Sequence, residues 1–240
     1  MKEREERTNK GPVIKICGIR TPEAVRKAAE LGVDYIGLVF APSRRRVDPA
    51  EAAVLIGELN KAPKTSSTER VRPKVAGVFV NPSLDELKRT LAAARLDVVQ
   101  LHGQESPDFC REVRERFGGE VFKSIPIGGE DADEGHAVRA ERMCESYRGA
   151  VDALLLDTHD PLYGGGSGRT FNWEIIPLYQ QAAEACGLKL FVAGGLTESN
   201  AGELVRNYAP DGIDVSSGVE TDGHKDIQKM TLFVERAVLS

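Results

Sequence analysis

Eight short runs rich in β-branched and other apolar residues recur along this chain, each followed by a stretch with helical periodicity. The runs lie at 13–19, 35–40, 74–80, 97–102, 121–127, 153–158, 189–193 and 212–216. Helices are predicted near 22–31, 49–60, 83–95, 106–117, 131–147, 173–186, 198–207 and 225–238. Runs such as IGLVF at 36–40 and ALLLD at 153–157 are apolar almost throughout, the pattern of strands buried on both faces of a parallel sheet. Thr21-Pro22, Asp48-Pro49 and Ser106-Pro107 each set a capping side chain before a first-turn proline. Eight strands alternating with eight helices in 240 residues predict an α/β fold of the (β/α)8 TIM-barrel type. A doubly wound sheet uses the same units, but carries its phosphate-binding glycines after the first strand. Here that strand ends on a single glycine, Gly18, and the glycine-rich turns come late.

Two segments fall outside the repeat. Residues 1–11 alternate charges and read as a frayed extension, leaving 12–240 as one barrel domain. The polar, proline-flanked segment 61–73 reads as a mobile connection. Charge then limits the partners. The 32 Lys and Arg against 37 Asp and Glu give a net charge of −5, with no basic field for nucleic acid. No apolar stretch approaches the roughly 20 residues of a membrane span, and the N-terminus lacks the apolar segment of a signal peptide. A cytoplasmic protein without membrane or nucleic-acid partners is expected. Cys17, Cys110, Cys144 and Cys186 are widely spaced and the four histidines scattered, so neither a disulfide framework nor a metal site is expected.

In a barrel the chemistry sits at the carboxyl ends of the strands. The residues there are Cys17, Phe40, Asn81, His102, Asp157, Gly194-Gly195 and Ser216-Ser217-Gly218. Glycines after strands seven and eight let backbone N–H groups approach an anion, and a short helix start after Gly218 would add its dipole. Tight turns alone would explain either one. Both together match the usual phosphate position of the fold, so a small phosphorylated substrate is expected. Lys15 and Cys17 share a strand face. Cys17 is either a small buried hydrophobe or a base whose thiolate Lys15 favours. Asp157, closing four apolar positions, either caps the next loop or is held partly dehydrated for general-acid work. Such a pair beside a phosphate site suits proton transfer next to a sugar carbonyl or hemiaminal.

The motif KICGI at 15–19 resembles that of the phosphoribosylanthranilate isomerase family of tryptophan biosynthesis. GLVFAPSRRRV at 37–47, GVFVN at 77–81, VVQLHG at 98–103, LLLDT at 154–158, GSGRTFNW at 166–173, AGGL at 193–196 and DVSSGVE at 214–220 follow in the family's order. The resemblance spans about residues 13–238. It implies a cofactor-free Amadori rearrangement of N-(5-phosphoribosyl)anthranilate to 1-(2-carboxyphenylamino)-1-deoxyribulose 5-phosphate. It further implies Asp157 as general acid, Cys17 as general base, and the Gly194-Gly195 and Ser216–Gly218 turns as phosphate loops. Arg45 matches the position for the anthranilate carboxylate, with Arg44 and Arg46 read as solvated charges. Gln100 and His102 share a face toward the mouth; His102 either lines the anthranilate pocket or fixes the Gly103 turn. Tyr163, Phe171 and Trp173 either pack the loop after strand six or touch substrate.

The chain departs from the family at 164–168, one glycine longer than usual, at Arg169 where lysine is common, and at Asn172 where aspartate is common. Altered substrate affinity with intact chemistry is the expectation. Two other readings compete. A phosphosugar isomerase of histidine biosynthesis would need an acid where Cys17 stands, and a non-catalytic phosphate-ligand binding protein would need neither Cys17 nor Asp157. Monomer and homodimer are both compatible with such a barrel.

Overall fold

A computed structural model describes residues 11–61, 72–128, 135–158 and 170–239. The extension at 1–10, most of the 61–73 connection, the start of the helix expected at 131–147, Tyr163, the glycine run at 164–168 and Arg169 lie outside them.

Eight parallel strands close into a barrel in chain order. They are β1 (Val13–Cys17), β2 (Tyr35–Val39), β3 (Lys74–Phe79), β4 (Val98–Leu101), β5 (Glu120–Ile127), β6 (Ala153–Thr158), β7 (Lys189–Val192) and β8 (Gly212–Val215). Around them run α1 (Pro22–Leu31), α2 (Pro49–Lys61), α3 (Leu84–Ala93), α4 (Pro107–Phe117), α5 (His136–Tyr147), α6 (Ile176–Cys186), α7 (Ala201–Tyr208) and α8 (Ile227–Val238). The expected caps form. Thr21 Oγ1 accepts from Ala24 N and Ser106 Oγ from Phe109 N, both at 3.2 Å. Asp48 and Glu51 make a reciprocal capping box at 2.8 and 2.7 Å. No described helix is long and apolar enough to cross a membrane.

The barrel interior is filled, not hollow. At its floor the rings of Tyr35, Phe122 and Phe191 meet with centroids 5.2–6.1 Å apart. Gly212 makes room for Phe191, since a Cβ there would lie 2.4 Å from the ring. That plug seals the amino end and leaves the carboxyl end as the way in.

The amino ends carry a repeated device that the sequence reading did not identify. Asp34, Asp97, Asp152 and Asp211 stand just before β2, β4, β6 and β8. Their carboxylates accept, each at 2.8 Å, from the N–H groups of Ile14, Val75, Val121 and Leu190 on the preceding odd strands. Each clamp joins neighbouring strands through a side chain. Asp34→Ala would leave the Ile14 N–H without its acceptor, an expected loss of about 1–3 kcal/mol in denaturant unfolding. Asp34→Asn keeps an acceptor oxygen and should lose less. Turnover should stay at the wild-type level in both, because this face lies opposite the carboxyl end.

One element differs from expectation. The stretch expected to open the last helix at 225 first folds back as an antiparallel pair, β9 (Glu220–Thr221) with β10 (His224–Lys225). Asp222 and Gly223 turn it with φ of 51° and 78°, the aspartate–glycine signature of a tight hairpin. Helix α8 therefore starts at Ile227, capped by Asp226 Oδ1. Lys225 is thereby released from the helix and sent into the barrel mouth.

Candidate active site

Parallel register places β1 residue Lys15 opposite Asp214 on β8. Lys15 Nζ donates to Asp214 Oδ2 at 2.8 Å, with side-chain exposures of 0% and 7%. Asp214 Oδ1 is buried with no partner among the described residues. Two residues beyond Lys15, Cys17 closes the strand on the same face, against Gly37 of β2. A Cβ on Gly37 would lie 2.6 Å from the Cys17 sulfur, so the glycine inside β2 makes space for the thiol.

Electrostatics here depart from the sequence expectation. Burial pushes the Cys17 thiol above its ordinary value; Lys15 and Lys225 pull it back, and Asp214 adds to the rise. Lys15 exerts the expected pull, but dehydration outweighs it and the lysine's charge is shared with Asp214. The resting residue is thus a thiol rather than a thiolate. Asp214 is likewise raised, by burial against the opposing pull of Lys15.

Across the mouth, Gln100 and His102 project from the end of β4. The amide Nε2 of Gln100 lies 3.2 Å from His102 Nδ1, and His102 Nε2 lies 3.3 Å from Asp157 Oδ2 at the end of β6. The two ring nitrogens of His102 are thus flanked by the Gln100 amide on one side and the Asp157 carboxyl on the other. His102 thus lies against Asp157 in the cavity wall, and the Gly103 turn is held by Glu105, which accepts from Gly103 N at 2.9 Å. Asn81, although at a strand end, is also structural: its Oδ1 accepts from Gln104 N at 2.7 Å.

The glycine turns pack against each other. Gly194 and Gly195 have φ of 79° and 65°. A Cβ on Gly218 would sit 1.8 Å from the Leu196 carbonyl oxygen. Ser217–Val219 forms one turn of 3-10 helix, not the start of a longer helix after Gly218, because the chain turns at once into β9. Among the described residues the N–H groups of Gly195, Ser217 and Gly218 meet no protein acceptor, so the turns present free donors. Gly218→Ala must displace this turn. A misplacement of about 1 Å should raise KM for a phosphorylated substrate by up to about 10²-fold, read by steady-state kinetics.

Arg45, on the loop between β2 and α2, lies over Gly18, where a Cβ would come within 2.5 Å of its Cδ. Its Nε and Nη2 donate to Glu220 Oε1 and Oε2 at 2.7 and 2.9 Å. Arg44, expected to be a solvated charge, also reaches Glu220 Oε2 at 3.0 Å although its side chain is 59% exposed. Arg46 is exposed. Lys225 Nζ donates to Glu220 Oε1 and to the Ser216 carbonyl, both at 2.8 Å. Burial alone would raise Glu220, but Arg45 and Lys225 outweigh it and bring its carboxyl down to about 2. Lys225 is also lowered, for the opposite reason: its burial outweighs the pull of Glu220 and Cys17. Sequence reading overlooked Glu220, Lys225 and Asp214 as functional residues. Glu220 and Asp214 bound the DVSSGVE motif, and two charged residues around small ones were the available signal.

Cys17, Arg45, Gln100, His102, Asp157, Gly194, Gly195, Ser216 and Ser217 line one cavity of about 370 Å³, with Val39, Ala41, Val78 and Val80 as an apolar wall. Gly218 lies behind it, under Leu196. Phe171 is buried in the core and Trp173 packs on Tyr208, with centroids 6.4 Å apart. Asn172 Oδ1 caps the 3-10 turn Trp173–Ile175 by accepting from Glu174 N at 3.0 Å.

Comparison with known proteins is direct. Residues 14–236 match the family model for N-(5′-phosphoribosyl)anthranilate isomerase. The chain belongs to the phosphoribosylanthranilate isomerase family. The isomerase of Brevibacillus brevis is 47% identical over 223 residues, 93% of this chain and 92% of that one. The Bacillus subtilis isomerase is 35% identical over 227 residues, 95% of each. A crystal structure of the Thermotoga maritima isomerase superposes with a TM-score of 0.76 at 33% identity, covering 94% of this chain and 98% of that one. Another isomerase structure, with a TM-score of 0.73 at 30% identity and covering 94% of this chain and 98% of that one, holds reduced 1-(o-carboxyphenylamino)-1-deoxyribulose 5-phosphate. This chain is accordingly an isomerase of tryptophan biosynthesis.

Proposed function

We propose that Asp157 and Cys17 perform the family's Amadori rearrangement, converting N-(5′-phosphoribosyl)anthranilate to 1-(2-carboxyphenylamino)-1-deoxyribulose 5-phosphate. Asp157 gives its proton to the furanose ring oxygen as the C1′–O bond breaks, and the anilino nitrogen's electron pair forms the Schiff base. Cys17, as thiolate, takes the C2′ proton, and the C2′–H electrons neutralise the iminium as an enolamine. Tautomerisation gives the ketone. Asp157 is left as a carboxylate and Cys17 as a thiol, and the proton gained by Cys17 returns to Asp157 through solvent, which restores both side chains for the next turnover. One observation carries this reading: an acid and a thiol from β6 and β1 open into the same cavity as two turns with free N–H donors.

The remaining residues take parts that suit their chemistry. Gly194, Gly195, Ser216, Ser217 and Gly218 hold the phosphate through backbone N–H groups. Arg45 meets the anthranilate carboxylate with a planar fork. Val39, Ala41 and Val78, clustered beside Cys17, supply an apolar surface for the anthranilate ring. His102, held by Gln100, keeps Asp157 directed at the ring oxygen. Free thiols at Cys17, Cys110, Cys144 and Cys186 suit the reducing cytoplasm.

Turnover of phosphoribosylanthranilate, followed by loss of its fluorescence, tests the reading. Efficient turnover is expected. Binding of phosphate compounds without turnover would overturn it in favour of a binding protein. The raised thiol predicts the pH dependence. Because the base works only when ionised, kcat/KM should climb with pH above neutrality, by up to about tenfold per unit. A flat profile between about pH 7 and 9 would show that Cys17 is not the ionising base.

A further inference from the structure

Glu220 is almost fully buried, at 4% side-chain exposure, yet it carries no chemistry in the rearrangement. Its two oxygens collect Arg45 Nε, Arg45 Nη2, Arg44 Nη2 and Lys225 Nζ at 2.7–3.0 Å. A guanidinium has five N–H donors in a fixed plane. The Glu220 contact is side-on, taking the Nε–H and one Nη2–H of Arg45, so the edge left for a ligand is the end-on pair, Nη1 and Nη2. Among the described residues that edge has no protein acceptor, and Arg45 lines the cavity. On the other side Gly18 lies under the arginine stem, close enough that a Cβ would be 2.5 Å from Cδ. Stem and head are both held before any ligand arrives.

We propose that Glu220 is a positioning residue that sets carboxylate specificity, by holding Arg45 so that one planar, two-donor edge faces the substrate. This rests on the assignment of Arg45 to the substrate carboxylate. Two consequences follow from the chemistry. Glu220 occupies the Nε edge of Arg45, so the donors left to a ligand lie in one fixed plane. A planar carboxylate gains two parallel hydrogen bonds to an already ordered fork, and loses less rotamer entropy on binding. Lys225 braces the same carboxylate, while its second bond, to the Ser216 carbonyl, anchors it at the phosphate turn independently of Glu220.

The test compares two ligands by calorimetry: reduced 1-(o-carboxyphenylamino)-1-deoxyribulose 5-phosphate and its counterpart lacking the ring carboxylate. The parent protein should favour the first by on the order of 30-fold, as for a charge-assisted bidentate pair. Glu220→Asp keeps the charge but withdraws it by one methylene; Glu220→Gln keeps the length but removes the charge. Both should cut the preference about tenfold while leaving the Kd of the carboxylate-free ligand within about threefold, because its phosphate contacts lie elsewhere. A parent-like preference in Glu220→Asp overturns the proposal. So does a stronger preference in Glu220→Gln, which would show that charge and not geometry governs. Equal weakening of both ligands would reduce Glu220 to a structural role. Arg45→Met locates a deeper failure: if the preference survives in it, the assignment of Arg45 falls and the proposal with it.

Discussion

Cys17→Ala and Asp157→Asn are each expected to lower kcat by about 10²–10⁴-fold, the range for loss of a positioned acid or base. Neither substitution removes a large side chain, and Asp157→Asn preserves the shape that meets His102 at 3.3 Å. Folding should therefore survive, and the Kd for a product analogue should change little. The two variants should fail at different points. Without Asp157 ring opening limits the rate, so replacing the C2′ hydrogen of the substrate by deuterium should leave turnover unchanged, whereas in the Cys17 variant it should slow turnover further. Without Cys17 the ring still opens, and the block falls at removal of the C2′ proton. Combining the substitutions should cost little more than the worse single one, since both serve one sequence of steps. Retention of more than about a tenth of the activity in either variant would remove that residue from the acid–base assignment.

Lys15→Met should be the most destabilising single change at the site. It deletes one half of an ion pair whose members are 0% and 7% exposed. A buried carboxylate left without its cation typically costs about 3–5 kcal/mol. Replacing both partners, as Lys15→Met/Asp214→Leu, should restore much of that stability, because the dehydration of both charges disappears along with their attraction. Activity should not return, since the pull of Lys15 on the thiol is absent in both variants. The pH dependence has a definite sign. Burial already raises Asp214 in the folded protein, and loss of Lys15 raises it further. Its ionisation then opposes folding, so Lys15→Met should gain stability as pH falls through the raised folded value and lose it as pH rises. Urea unfolding of the three proteins at two pH values measures both effects. A double variant no more stable than Lys15→Met would show that packing, not the unpaired charge, causes the loss.

The pair Lys15 and Asp214 also shows where sequence reading stops. Alternation along β1 was enough to put Lys15 and Cys17 on one face. It could not say that the lysine's charge would be shared with a carboxylate on β8, because that contact exists only once the barrel closes β8 against β1. The same limit separated Arg45, recognised from its motif, from Glu220, 175 positions away, which holds it. Hairpin β9–β10 was a different kind of omission. Its Asp222-Gly223 turn was visible, but the helical periodicity that follows drew the helix boundary two residues too early. The strand-base aspartates, regular as they are, lack a local signature strong enough to separate a clamp from a loop charge.

What the sequence by itself determined is whatever depends on neighbours a few positions apart. The strand–helix alternation, the caps at Thr21, Asp48 and Ser106, the need for glycine at the late turns, and the motifs that bring Cys17 and Asp157 to strand ends all belong there. Periodicity, capping and backbone freedom are short-range properties, written in consecutive residues. Only the tertiary structure decided which charges meet and how dry they are. Glu220 gathers Arg44, Arg45 and Lys225, and His102 faces Asp157. Cys17 rests as a thiol because burial outweighs the lysine beside it. Those outcomes depend on distances across the barrel and on the removal of water, and neither exists until the eight strands have closed.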